Sequence, residues 1–347
     1  MKAVRRLRGI LTTCAVFTLM LVVVGCGASG SGEGETVNIV INNDVAADTL
    51  KGESWRQFES NLSSKLGDQV QIEIFDSGSL YNQDDQLAAL QQNNVQFIAP
   101  VPGVLSGSFP ELSVFTLPYL FKSPAMIDEA LNDPELGGEI LASVEEENVE
   151  IKSTWLNGWR MVQTRDEPVE SLEDVRGLRI RVPAGDAYIQ TFETLGATPT
   201  GINWSEVPTS LQQGIIDAAE PTPNANLSDN LYEVAPYITN TDHALDFYVI
   251  ATNKEWFDGL SADVQQAIEE ALEETAEWNR EQTESENEEA LETMQTEGAT
   301  FTRLDDEELG RWQDATQPVI EDYRSVVGSD VIDSLLQLAE KYDWERQ

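Results

Sequence analysis

The chain has few of the residues that carry redox, metal and acid–base chemistry. Its two cysteines, Cys14 and Cys26, lie near the N-terminus, and its single histidine is His243. Without a thiol, the rest of the sequence cannot build a disulfide framework, a cysteine metal site or a thiol nucleophile. A lone histidine, here between Asp242 and Ala244, more often has a structural role than a catalytic one. We predict no cofactor and a globular part held together by its core alone.

Positive charge is also scarce. The 347 residues include 21 Lys and Arg against 62 Asp and Glu, which gives a formal net charge of −41. Such a chain repels phosphate backbones, so we predict no nucleic-acid partner. A dense acidic surface with little lysine is typical of proteins adapted to high salt, where ions screen self-repulsion. An ordinary acidic secreted protein is the alternative.

The N-terminal segment has the pattern of a targeting signal. A basic stretch precedes an apolar run, Ile10 to Val24, that is short for a membrane span. The run leads into Gly25-Cys26, which is similar to a bacterial lipobox, and a flexible Gly/Ser-rich stretch follows. We predict a signal peptide at 1–25 and a lipidated tether at 26–35. Cys26 would anchor the protein extracytoplasmically, at the outer face of the cytoplasmic membrane or in the periplasm; an ordinary signal peptide with an incidental cysteine is the alternative.

Strand and helix patterns alternate in the first third of the chain. Apolar patterns predict strands at 35–41, 70–75 and 96–99, and helical spacing predicts helices at 48–66 and 83–92. This order is typical of an α/β domain with a largely parallel sheet.

The same pattern restarts in the second half. It predicts strands at 179–182 and 247–251 and helices at 186–195 and 207–213, the latter capped by Ser205. Two α/β units indicate a bilobed protein whose cleft is the natural ligand site.

A long helix is predicted over 261–297. Its first half is amphipathic, but residues 279–289 include no apolar side chain. A helix that is polar all round is either solvated or bridges two bodies. Residues 305–347 are again helical in pattern.

Common enzyme motifs are missing from the sequence. It has no glycine-rich phosphate loop, no His-Glu-x-x-His and no Gly-x-Ser-x-Gly. We therefore predict that the protein is not an enzyme. Because acidic residues are abundant, a secreted hydrolase that uses paired carboxylates stays open as an alternative.

The arginines are rare enough to be informative. Arg179 and Arg181 are two residues apart in one predicted strand, so they lie on the same side of it. Arg160 follows a predicted strand end. A guanidinium that faces a cleft can bind a carboxylate through two parallel hydrogen bonds. From the charge balance alone, pairing of these arginines with local Asp or Glu is the simpler interpretation.

A series of short motifs runs along the chain in one order. The motifs are Phe75-x-Ser77-Gly78-x-Leu80, Phe115-x-Leu117-Pro118-Tyr119-Leu120-Phe121, Asn157-Gly158-x-Arg160, Gly177 to Pro183, Leu195-Gly196-Ala197-x-Pro199, Glu206 to Asp217 and Tyr232-Glu233-Val234. Together they resemble the DctP-like solute-binding subunits of TRAP transporters, over roughly residues 36–340.

The resemblance implies a fold and a function. The fold is α/β and bilobed, like periplasmic binding proteins, with hinge strands and a long helix across both lobes. The implied domains are 36–157 plus 246–285, and 158–245 plus 286–347. The lobes would close on a small organic acid and deliver it to the membrane subunits of the transporter. An extracellular sensor subunit that presents its ligand to a receptor is the alternative on the same fold.

The resemblance also implies a set of ligand-binding residues. Arg181 would bind the ligand carboxylate, Arg160 would assist, and Trp204 would pack on the ligand. Glu220 and Asn224 complete the predicted set.

Two departures from the family pattern affect the site. Pro221 stands where the family often has an asparagine that touches the ligand, so that contact is either lost or replaced by Asn224 or Asn226. The run Ala99 to Pro102 predicts a comparatively apolar first-lobe side and disfavours sialic acid. Dicarboxylates, keto acids, sugar acids and aromatic acids all stay open.

Overall fold

The computed structural model describes residues 36–344 and contains two sheets covered by helices. The predicted signal peptide, the tether and Cys26 lie outside the described residues. The first sheet consists of β1 (Val37–Asn42), β2 (Val70–Phe75), β3 (Phe97–Ile98), β4 (Val149–Trp159) and β10 (Leu245–Asn253). Its strand order is β2-β1-β3-β10-β4, and β10 runs antiparallel to both of its neighbours.

The second sheet has six strands in the described chain. They are β5 (Val162–Thr164), β6 (Arg179–Val182), β7 (Thr198–Gly201), β8 (Ala218–Ala219), β9 (Tyr237–Asn240) and β11 (Thr300–Arg303). Their order is β11-β9-β5-β8-β6-β7, and β5 runs antiparallel to both of its neighbours. Each sheet is therefore parallel apart from one reversed strand, in agreement with the predicted α/β class.

Twelve α-helices cover the sheets within residues 36–344. They are α1 (Leu50–Leu66), α2 (Gln86–Gln91), α3 (Pro102–Leu105), α4 (Pro124–Asn132), α5 (Leu136–Glu146), α6 (Asp186–Thr194), α7 (Val207–Gln212), α8 (Pro223–Ser228), α9 (Lys254–Asp258), α10 (Ala262–Thr296), α11 (Asp306–Val327) and α12 (Ser329–Ala339). Most predicted elements lie within two or three residues of these bounds. The predicted Ser205 cap is wrong, because Ser205 lies inside a 3₁₀ turn and Glu206 precedes α7.

The chain crosses between the sheets at two adjacent places. β4 ends at Trp159 in the first sheet and β5 begins at Val162 in the second, while β9 and β10 make the return crossing. Arg160 N donates to Ala244 O at 3.0 Å, which ties the two crossings together. Each of the reversed strands, β5 and β10, follows one of these crossings. The same crossing segments therefore form the hinge strands and divide the fold into two lobes.

Both faces of the first sheet are buried along β10. All nine residues of β10 are buried, and its side chains alternate between two hydrophobic clusters. Phe247 and Val249 pack with α4, α5 and α11, whereas Tyr248 and Ile250 pack with α1 and α10. A strand covered on both faces is continuously apolar rather than alternating, which is why this segment reads as a buried strand in the sequence.

The long helix α10 follows the first sheet through a polar seam. Thr275, Asn279, Thr283 and Asn287 recur every fourth residue and are all buried. Asn279 Oδ1 accepts from Leu156 N at 2.6 Å on β4. The stretch that lacks apolar residues is therefore not simply solvated, since one polar face hydrogen-bonds to the backbone of another element.

The C-terminal helices contact both sheets. Leu309 and Trp312 of α11 belong to the core of the second sheet, but Val319 and Ile320 pack into the core of the first. Helix α12 also packs into that first core. The predicted residue boundaries of the domains stay a prediction; α11 packs on both sheets and α12 on the first.

Within the described residues, none of the helices combines the length and apolar character needed to span a membrane.

Candidate functional site

A small cavity of about 40 Å³ lies where the two sheets meet. Its walls come from the first sheet side, the second sheet side and the crossing segments. The lining residues are Asp44, Val45, Lys51, Gln83, Val101, Asn157, Arg160, Arg181, Pro183, Trp204, Pro221, Thr222, Ala225, Asp246 and Tyr248. This volume is well below the about 300–1,000 Å³ of pockets that hold drug-sized ligands.

Arg181 lies on β6 with its side chain at the cavity. It is 2% exposed, while Arg179, two residues earlier, is exposed and donates from Nε to Asp217 Oδ2 at 2.8 Å. The simpler interpretation, pairing with a local acid, therefore describes Arg179. Arg181 instead donates from Nε to Ile202 O at 2.8 Å and has no ion pair among residues 36–344.

The charge on Arg181 is poorly compensated. Burial lowers the pKa of Arg181 to about 10, an effect that Glu220 opposes and Arg160 reinforces. The guanidinium carbon lies 5.3 Å from the ring centre of Trp204. A buried guanidinium without an acidic partner is a strong hydrogen-bond donor for an incoming carboxylate.

Arg160 also lines the cavity, but each of its three guanidinium nitrogens already contacts a carboxylate. Nε and Nη2 form a two-point contact with Glu220, and Nη1 lies 2.9 Å from Asp246 Oδ2. Burial acts to lower the pKa of Arg160, yet the two carboxylates raise it well above its ordinary value. Arg160 therefore stays charged and is held rigidly beside Arg181.

Glu220 is buried and is not one of the cavity-lining residues in the described chain. Its Oε2 lies 3.3 Å from His243 Nε2, and His243 Nδ1 lies 2.8 Å from Thr241 Oγ1. The ring of His243 also meets Phe192 edge-on at 5.3 Å. The single histidine is thus enclosed in the hinge, where it supports the Arg160–Glu220 pair.

Trp204 lies on the wall beside Arg181. It opens a 3₁₀ turn, Trp204–Glu206, and its Nε1 donates to Asp229 Oδ2 at 2.5 Å. This hydrogen bond fixes the indole, so the ring presents a rigid apolar surface to the cavity.

The residues around Pro221 differ from the predicted arrangement. Pro221, Thr222 and Ala225 line the cavity. Asn224 Oδ1 instead accepts from Leu50 N at 3.1 Å, and Asn226 Oδ1 accepts from Gln163 Nε2 at 3.1 Å. The structure therefore brings Arg181, Arg160 and Trp204 together at the cavity, and it places Glu220 and Asn224 outside the lining. Their roles in ligand binding stay predictions.

The first-sheet side of the cavity is charged, so the predicted apolar character of this side is wrong. Asp44 follows β1, and Lys51 lies in the first turn of α1, which Thr49 caps by accepting from Gly52 N at 3.1 Å. Lys51 Nζ donates to Asp44 Oδ1 at 2.5 Å and to Ala99 O at 3.1 Å. Two sequence signals could have predicted this charged side. Asp44 is an acid just after a predicted strand, and Lys51 is one of few lysines and lies at a helix start.

Among the residues that the structure describes, no group of three or more His, Cys, Asp or Glu side chains is arranged to hold a metal ion.

Comparisons with known proteins agree with this geometry. Residues 41–325 match the family described as bacterial extracellular solute-binding protein, family 7, DctP. The chain is 30% identical over 295 residues to the C4-dicarboxylate-binding protein DctB of Bacillus subtilis, covering 85% of this chain and 84% of that protein. It is 29% identical over 300 residues to the periplasmic protein DctP of Rhodobacter capsulatus, covering 86% and 90%.

The fold is shared with a solved relative. A TRAP periplasmic solute-binding protein from Shewanella oneidensis, solved with bound succinate, superposes with a TM-score of 0.83 at 28% identity, over 88% of this chain and 99% of that one. The family match covers most of the chain and includes both sheets and the cavity. The chain therefore belongs to the DctP family of bacterial extracellular solute-binding proteins, the solute-binding subunits of TRAP transporters.

Proposed function

We propose that this protein captures a small organic carboxylate in the cavity between its sheets and delivers it to the membrane subunits of a TRAP transporter. The observation that carries the proposal is Arg181, a buried guanidinium that faces the cavity and has no ion pair in the described chain. The names of the relatives support it, since two are C4-dicarboxylate-binding proteins and one was solved with succinate.

Binding requires no bond to be made or broken. Arg181 anchors the carboxylate, Arg160 holds positive charge beside it, and Trp204 covers the apolar part of the ligand. Closing of the lobes about the crossing segments excludes water, which strengthens the ion pair because the local dielectric falls. We expect saturable one-to-one binding without turnover of the ligand.

The protein acts outside the cytoplasm, as its family does. We propose in addition that Cys26 carries lipid and that residues 26–35 form the tether. Replacing Cys26 with Ala should move the protein from the membrane fraction to the soluble extracytoplasmic fraction. Retention of Cys26→Ala in the membrane would contradict lipid anchoring at this residue.

The proposed function is tested by a thermal-shift screen of organic acids at high salt, followed by titration of the best ligand. Ligands that bind only the folded state raise the melting temperature in proportion to the logarithm of their concentration. Arg181→Ala should weaken binding by several kcal/mol, because a buried carboxylate loses its partner. Arg179→Ala is the matched control, since Arg179 lies on the same strand and is exposed.

Equal affinity of Arg181→Ala and the unmodified protein would overturn the anchor. Failure of every organic acid to bind would overturn the proposed function itself.

A further inference from the structure

The first-sheet wall of the cavity carries a buried ion pair, Asp44–Lys51. Asp44 is 6% exposed and Lys51 2% exposed, and both line the same cavity as Arg181. An ion pair in such a position costs desolvation energy, so a purely structural role could be filled by apolar residues at lower cost.

Each partner retains capacity for one more hydrogen bond. Lys51 has three N–H groups, and Asp44 Oδ1 and Ala99 O accept two of them. The ammonium also lies 4.1 Å from the ring centre of Tyr248. Asp44 uses Oδ1 for Lys51, and Oδ2 has no partner among residues 36–344. The pair thus offers the cavity one donor and one acceptor side by side.

The charges around the cavity also limit how many carboxylates the ligand can carry. The cations Lys51, Arg160 and Arg181 line it, and Lys51 and Arg160 are neutralised by Asp44, Asp246 and Glu220. His243 faces Glu220 from the hinge, the guanidinium carbon of Arg160 lies 5.3 Å from the ring centre of Tyr188, and Tyr248 lies against Lys51. A first ligand carboxylate is matched by Arg181, but a second would find no uncommitted cation and would face Asp44 or Asp246.

The chemistry of the pair selects among the groups a ligand can present. A hydroxyl both accepts and donates, so it can satisfy Lys51 and Asp44 together. A carboxylate only accepts and is repelled by Asp44, and an ammonium only donates and is repelled by Lys51.

We propose that Asp44 and Lys51 form a hydroxyl-recognising subsite, which makes this protein selective for hydroxylated monocarboxylates over dicarboxylates. The inference rests on the proposed function, because it assumes that Arg181 holds the first carboxylate. It separates this chain from relatives whose names specify C4-dicarboxylates.

The test is a calorimetric titration with acids matched in chain length. One set is butyrate, 4-hydroxybutyrate and succinate, and a longer set is hexanoate, 6-hydroxyhexanoate and adipate. In the set that fits the cavity, the hydroxy acid should bind about tenfold tighter than both the plain acid and the dicarboxylate, because only it pairs both subsite groups.

A variant isolates the contribution of the acid. Asp44→Asn removes the repulsion and leaves Lys51 uncompensated, so the preference should move toward the dicarboxylate by about tenfold or more. Because both affinities are measured on one variant, a loss of folding stability does not affect their ratio. Asp68→Asn is the control, since Asp68 is exposed beyond the opposite end of α1 and the charge change is the same.

Tighter binding of the dicarboxylate by the unmodified protein would overturn the inference while leaving the proposed function intact. An unchanged ratio in Asp44→Asn would do the same. If none of these acids binds and the wider screen also fails, the proposed function falls and this inference falls with it.

Discussion

A Cβ atom on Gly158 would lie 2.4 Å from Asn287 Nδ2, so β4 and α10 approach at a position that only glycine allows. Asn287 Nδ2 donates to Asn157 O at 3.0 Å, and its Oδ1 accepts from Asn224 N at 2.9 Å. Gly158 also has φ 117°, a conformation that L side chains rarely adopt. This one contact joins the first sheet, the long helix and α8 next to the crossing that carries Arg160.

Replacing Gly158 with Ala should therefore destabilise the fold. We expect a loss of about 2–4 kcal/mol in the free energy of unfolding, from the clash with Asn287 and from the backbone strain. Urea denaturation at high salt measures it. Gly107→Ala is the control, because a Cβ there would meet open space. Equal urea midpoints for Gly158→Ala and Gly107→Ala would show that α10 moves aside with little loss of stability.

The buried charge of Arg181 should cost stability in the absence of ligand. Burial lowers the pKa of Arg181 from its ordinary value of 12.5 to about 10. The charged form is thus disfavoured in the folded state. Burying the charge lowers the free energy of unfolding by its full amount at pH values below about 10. Arg181→Met should raise the free energy of unfolding of the ligand-free protein by about 1–3 kcal/mol while it abolishes binding.

The stability gained in Arg181→Met should depend on pH. As pH rises through about 10 toward 12.5, the folded protein releases the proton first, so the advantage of Arg181→Met should shrink. Denaturation midpoints at neutral and alkaline pH measure it. Arg179→Met, on the exposed pair with Asp217, should show no such gain. A less stable Arg181→Met at neutral pH would mean that the guanidinium is well compensated in the fold.

The sequence predicted the α/β class and the bilobed fold because strand and helix periodicities are local. The strand at 179–182 and the long helix lie almost where they were expected. The sequence alone allows two interpretations of the polar stretch of α10, since only the tertiary structure shows Asn279 reaching the backbone of β4.

Site residues were harder to predict, because a ligand cavity depends on contacts between distant segments. Arg181 could be chosen from its rarity and its motif. Asp44 and Lys51 had only weak sequence signals. One acid is not distinctive among 62 acidic residues, and the buried lysine becomes informative only when α1 is packed on the sheet. Asn224 was selected as a neighbour of Pro221, but its side chain lies against α1.

Glu220 should contribute stability in a pH-dependent way. Burial acts to raise the pKa of Glu220, but Arg160 and His243 lower it overall, below its ordinary value of 4.5. A carboxyl with a depressed folded-state pKa contributes stability above the unfolded-state value and loses it as pH falls through the folded one.

Glu220→Gln should be less stable than the unmodified protein by about 3 kcal/mol near neutral pH, because Arg160 loses one buried partner. The gap should narrow below pH 4.5, where the unfolded chain begins to take up protons. Thermal unfolding across this pH range measures the gap. Glu321→Gln breaks an exposed pair with Arg324 and serves as the control. A gap that does not change with pH would show that the carboxylate charge of Glu220 is not what stabilises the fold.

Asn224 connects elements on opposite sides of the cavity and should control ligand release. Its Oδ1 accepts from Leu50 N at 3.1 Å at the start of α1, and its Nδ2 donates to Glu286 Oε2 at 3.2 Å on α10. Helix α8 carries Asn224, and its neighbour Ala225 lines the cavity. Asn224→Ala removes both side-chain hydrogen bonds, and the one to α1 is worth about 1 kcal/mol in net terms.

If that hydrogen bond forms when the lobes close, its loss should speed dissociation about fivefold and leave the association rate unchanged, because encounter precedes closure. Stopped-flow fluorescence can follow both rates, since the indole of Trp204 lies at the cavity. Asn94→Ala, in an exposed turn between α2 and β3, is the matched control. Unchanged dissociation in Asn224→Ala would mean that α1 and α8 stay in contact in the open form, and the moving boundary would then lie elsewhere in the cleft.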